Sequence, residues 1–92
     1  MNIQFTVQIF KEGRQFVAYT PELDVSSCGP NIDKAQKNLL EAVRLFTQEA
    51  QKIGTLGQIL EESGFIKHKQ TLQSPRYVAT TRATVPLTAT HA

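Results

Sequence analysis

Ile32, Ala35, Leu39, Ala42, Val43, Phe46, Ala50 and Ile53 recur at spacings of three and four, and no other feature of the chain constrains its fold as much. At 3.6 residues per turn, this stripe runs along one side of a single helix of about six turns. Such a helix owes most of its stability to what its apolar face packs against. Its ends are marked. Asn31 is a good N-cap, Asp33 places an acid in the first turn where the helix dipole favours it, and Gly54 stands at the expected C-cap.

The surface that this helix requires lies upstream. In residues 2–10, Ile3, Phe5, Val7 and Ile9 alternate with Gln4, Thr6 and Gln8, the period of a strand with one wet face. Lys11, Glu12, Gly13 and Arg14 form a hairpin connection, with Gly13 suited to positive φ. Residues 15–20, rich in β-formers, make the return strand, and Pro21 stops it. Residues 25–28 predict a third, shorter strand, broken by Gly29-Pro30.

Downstream, Thr55 and Gln58 fit a capping box for a short second helix through Ser63. Gly64 ends it, and Phe65 is expected to fold back onto Leu60 or Leu56. Residues 67–75 read as polar and irregular. Residues 77–85 alternate again, with Tyr77, Ala79, Ala83 and Val85 on one side and Thr80, Arg82 and Thr84 on the other. They predict a fourth strand, pairing at a sheet edge or with another subunit. The expected fold is α+β, in the order β-β-β-α-(short α)-β, an antiparallel meander with the long helix on one face. It forms one domain over residues 1–86, with 87–92 as a flexible tail.

With 92 residues, the chain buries only roughly 60–65% of its unfolded surface, so self-association would supplement a thin core. The net charge of +2 is too small to identify a nucleic-acid binder, but its distribution is uneven. Residues 1–66 carry six Lys/Arg against eight Asp/Glu, a net of −2, whereas Lys67, Lys69, Arg76 and Arg82 make residues 67–92 +4 with no acid. Those four cations are a candidate polyanion contact, set against the plainer reading of a solvated basic connector. Cys28 is alone, which rules out an intrachain disulfide; with only His68 and His91 it cannot make a metal site within one chain. As a lone cysteine in a short strand it reads as a small buried apolar residue. No apolar run reaches membrane-spanning length and the alternating N-terminus is no signal peptide, so the expected compartment is the cytoplasm.

The residues do not assemble a catalytic constellation. Metal-dependent nucleases cluster carboxylates so that two cations clamp the attacking and leaving oxygens. Here Glu12 lies in the distal hairpin, and Glu22 and Asp24 share one loop. No Gly-rich phosphate loop and no basic recognition helix is present. Protein binding remains. Leu40 and Leu45 sit off or beside the helix stripe, and Glu22 and Asp24 form a stiff acidic loop after Pro21 that a basic partner could recognise.

Several of these residues carry a family resemblance. The strand Phe16-Val17-Ala18-Tyr19 runs into Thr20-Pro21-Glu22-Leu23. Ser27-Cys28-Gly29 follows, then Ala35, Leu39, Glu41 and Ala42 on the helix, and Leu60 with Gly64-Phe65. Over residues 3–66 this resembles the HicB-like antitoxins, whose fold is a partial ribonuclease H-like module. The family often has Thr at the helix cap and Glu three residues later, where this chain has Asn31 and Lys34. The resemblance implies a non-catalytic protein without a cofactor. It would bind and neutralise a small basic HicA-type toxin that cleaves mRNA, and would self-associate as a homodimer or tetramer. Many such antitoxins add a C-terminal DNA-binding domain; this chain ends too early for one, so no operator binding is expected. The alternative is a structural or regulatory module on the same scaffold, with RNA at residues 67–82.

Overall fold

A computed structural model of the chain describes residues 1–88 and gives an α+β fold. The central meander is β2 (Gln8–Glu12), β3 (Gln15–Thr20) and β4 (Val25–Gly29), antiparallel and in that spatial order. Only Gly13 and Arg14 separate β2 from β3. Gly13 has φ +61°, at the first central position that two-residue hairpin turns reserve for glycine.

The expected first strand is split in two. Its first part, β1 (Asn2–Gln4), is followed by an unpaired stretch at residues 5–7 before β2 begins. β1 belongs to a second, small sheet with β5 (Ile66–His68) and β6 (Thr71–Gln73), in the order β1-β6-β5. β6 runs parallel to β1, with Asn2 opposite Thr71 and Gln4 opposite Gln73, and antiparallel to β5.

The long helix α1 (Ile32–Ile53) matches its sequence pattern. Asn31 caps it by accepting from the Lys34 N–H at 2.7 Å, and Gly54 closes it in the left-handed conformation at φ +83°. The helix lies on one face of β3 and β4. Register and alternation put Ile9, Ala18 and Ser27 on that face, and Ala18 packs in one cluster with Ala35, Leu39 and Val43. The approach is close at the start of α1. A Cβ built on Gly29 would lie 2.7 Å from the Ala35 nitrogen, so only glycine lets the helix sit there. The two ends of the stripe, Ile32 and Ile53, stay exposed.

The short helix α2 (Leu56–Glu62) forms as expected, but without the capping box. Thr55 makes no side-chain cap. Gln58 instead donates to Glu62 one turn on, and the Thr55 hydroxyl donates to the Ala50 carbonyl at 3.4 Å. Gly64 at φ +82° turns the chain, and the Phe65 N–H closes onto the Leu60 carbonyl at 2.9 Å. Phe65 is buried in the cluster that holds Leu60.

Two expectations at the C-terminal end are corrected. Residues 67–75 are not irregular: they hold the β5–β6 hairpin, turned at Lys69 (φ +57°) and Gln70. Lys-Gln carries none of the Gly or Asn chemistry that announces a hairpin, so the local sequence conceals it. Residues 77–85 are not a strand. They are unpaired and exposed, with Val78 at 98%. The radius of gyration is accordingly 16.4 Å, against about 12 Å for a compact chain of this length. Of the expected tail, residues 89–92 lie outside the described residues; Leu87 is exposed.

Candidate binding surface

Glu22 and Asp24 occupy the turn between β3 and β4, and the fold gives each carboxylate an intramolecular task. Glu22 turns inward. Its Oε2 accepts from the Thr6 N–H at 2.9 Å and its Oε1 from the hydroxyl of fully buried Thr20 at 3.1 Å. Burial alone would push this carboxyl up. Hydrogen bonds from Ser74, Thr6 and the backbone outweigh it and hold it below its ordinary value of 4.5. Asp24 has φ +54°, a left-handed conformation that Asp tolerates better than most residues, and it accepts from the Tyr19 hydroxyl at 2.9 Å. That bond, then burial, then the nearby Asp24 charge and Tyr77 raise the Tyr19 pKa from 10.0.

The position of Glu22 explains why the first strand divides. Asn2 N–H donates to the Gln70 carbonyl at 2.8 Å, and Ser74 N–H donates to the Gln4 carbonyl at 3.1 Å. Along a strand, every second residue addresses the same neighbour. Thr6 is next in that alternation, and its N–H meets the Glu22 carboxylate instead of a strand carbonyl. The chain beyond Ser74 diverges from β1, and a cleft of about 580 Å³ opens between Gln4, Phe5 and Thr6 on one wall and residues 73–77 on the other.

The face of the meander away from α1 is uncovered. Strand register lines up Phe10, Val17 and Cys28 across the three strands, with Gln8, Tyr19 and Ser26 as the next row. Phe10 is 48% exposed, Val17 and Tyr19 are half-buried, and Cys28 is exposed rather than buried as its composition suggested. The alternation that puts Ser27 under the helix turns Cys28 outward.

The other sequence candidates do not converge. Leu40 and Leu45 are each about half exposed, but five residues apart on α1 they point about 140° away from each other. Lys67 and Lys69 sit on the β5–β6 hairpin, Arg76 and Arg82 on the unpaired segment, all exposed. Glu41 pairs with Arg44 one turn on; hydrogen bonding to Arg44 lowers the Glu41 carboxyl, and the solvated pair adds little stability. Sequence reading missed the Phe10–Val17–Cys28 row because it assigned Phe10 to no face and Cys28 to the interior. It also missed the Thr6–Glu22 junction, which joins residues distant in sequence.

Among the described residues, no three of His, Cys, Asp and Glu come together as a metal site would require, and no helix is long and apolar enough to cross a membrane. Comparison of the chain with protein-family models, with curated proteins and with solved structures finds no match.

Proposed function

We propose that this protein is a non-catalytic, antitoxin-like binding protein of the cytoplasm that neutralises a small, basic, mRNA-cleaving toxin of the HicA type. The observation that supports this most is the uncovered face of the meander, where the Phe10, Val17 and Cys28 row lies beside Tyr19 and the exposed Asp24. An apolar strip with an acid at its rim suits a protein partner of opposite charge. Further support comes from the residues that carry the HicB-like resemblance, several of which the fold depends on. Leu23, Ala35 and Leu39 are buried, Gly29 permits the approach of α1, and Gly64 turns the chain so that Phe65 is buried.

Within this reading, Asp24 and the outer sheet face replace the pair Glu22 and Asp24 as the recognition surface, because the Glu22 carboxylate is committed to Thr6 and Thr20. RNA binding through residues 67–82 draws less support, since the four cations divide between a hairpin and an unpaired segment and β5 and β6 offer only His68 for base stacking.

The test is co-expression with the small reading frame adjacent to the gene, read as a pull-down and as growth. A complex that restores growth, and that weakens with Val17→Lys or Asp24→Asn but not with Leu40→Lys, is expected. Binding indifferent to both outer-face substitutions, or no binding to any neighbouring small basic protein, would defeat the reading.

A further inference from the structure

We propose that the outer edge of β2 receives an extended segment of a basic protein partner, which adds to the meander as a fourth strand. The inference rests on the reading of this chain as the binder of a small basic protein.

The hairpin decides which backbone groups are free. Gly13 and Arg14 make a two-residue turn, so Glu12 and Gln15 are a hydrogen-bonded pair. Alternation then commits Gln8, Phe10 and Glu12 to β3 and turns the N–H and C=O groups of Ile9 and Lys11 outward. The same count through β3 and β4 turns the Cys28 carbonyl to the opposite edge of the sheet, where Asn38 of α1 donates to it at 2.8 Å. That edge is met by the helix, whereas no strand among the described residues pairs with the edge at β2.

The free groups continue upstream. The Asn2 N–H, the Gln4 carbonyl and the Thr6 N–H address Gln70, Ser74 and Glu22, so Phe5 and Val7 present their N–H and C=O groups to the other side. No hydrogen bond among the described residues uses them.

The edge lacks protection. Natural sheets blunt an open edge with charge, proline or a bulge. Residues 1–10 contain no charged side chain, no proline and no glycine. The first cation, Lys11, lies on the helix side, its Nζ 5.8 Å from the centre of the Phe16 ring.

Two features name the occupant. A row of alternate free N–H and C=O groups is matched by extended backbone and not by a helix, whose own groups are used internally. Exposed acids flank the row, Glu12 at the end of β2 and Asp24 at its start, bonded to the Tyr19 that faces Gln8. With residues 1–66 at a net −2, they favour a basic segment. Phe10 belongs both to this strand and to the uncovered row with Val17 and Cys28, so a partner seated on that face reaches the edge directly.

The experiment is amide exchange on the full chain, alone and in the complex with the basic protein co-expressed from the adjacent reading frame. In the complex, exchange at Val7, Ile9 and Lys11 should slow about tenfold or more relative to Gln8 and Phe10, which β3 already holds. Lys11→Pro removes one free donor at an exposed position without breaking the ladder to β3. It should leave circular dichroism unchanged and weaken the complex about five- to tenfold, whereas Lys11→Ala keeps the N–H and should bind as the parent does. If the proline variant misfolds, the exchange pattern of the parent complex decides alone. A complex whose edge amides exchange as in the free chain, or that a folded Lys11→Pro variant does not lose affinity for, overturns the inference and leaves the antitoxin reading standing. Slowing that follows the protein's own concentration before any partner is added would give the edge to a second copy, and overturns it too. No complex at all defeats the reading and the inference together.

Discussion

The Glu22 carboxylate stands 2.9 Å from the Thr6 backbone nitrogen and ends the β1–β6 ladder by taking the next donor in line. Glu22→Ala leaves the Thr6 N–H and the buried Thr20 hydroxyl without this acceptor. It should cost about 1–3 kcal/mol, read as a fall in the urea midpoint with unchanged slope. Glu22→Gln keeps an acceptor but not the charge, and should cost about 1 kcal/mol.

The same carboxyl makes stability depend on pH in a fixed direction. Its folded-state pKa lies below 4.5, so the unfolded chain binds the proton first as pH falls. The contribution is complete above the ordinary glutamate range and is lost as pH drops from about there through the folded-state value. Urea midpoints measured from pH 7 to pH 3 should show this acid loss in the parent and less of it in Glu22→Gln. Glu41→Gln should change it little, because the Glu41–Arg44 pair is solvent-exposed.

Two glycines should respond to alanine with opposite sign. At Gly29 the new Cβ would meet backbone atoms at 2.7 and 2.9 Å, so α1 must shift, at about 1–3 kcal/mol. At Gly57, inside α2, nothing lies within 4 Å, and alanine should stabilise by about 0.5–1 kcal/mol through helix propensity. Thermal midpoints of the two variants should fall on either side of the parent.

Adjacent leucines on α1 should separate in the same way. Leu39 is fully buried, and Leu39→Ala should cost about 2–5 kcal/mol, much of the stability of so small a domain. Leu40 is 48% exposed, and Leu40→Ala should change unfolding by no more than about 0.5 kcal/mol.

Asn31→Ala removes the acceptor that holds the Lys34 N–H at 2.7 Å and should cost about 1 kcal/mol. Asn31→Asp keeps the cap and adds a favourable charge at the positive end of the helix, so its denaturation midpoint should equal or exceed the parent's.

What the sequence determined by itself were elements whose signal is local and whose partners lie close along the chain. The three-and-four spacing from Ile32 to Ile53, the Asn31 and Gly54 caps, the Gly13 turn and the β-formers of residues 15–20 each act within a few residues, and the structure realises them all. Tertiary structure decided what depends on residues distant along the chain. Glu22 and Thr6 are 16 residues apart, and their contact interrupts an alternating pattern that read as one strand. Residues 71–73 gain strand form from β1, some 70 positions upstream, with little turn chemistry of their own. Residues 77–85 have the better strand pattern but no strand beside them in the chain, because alternation encodes a half-buried face, whereas a β-strand exists only where a second strand supplies its hydrogen bonds.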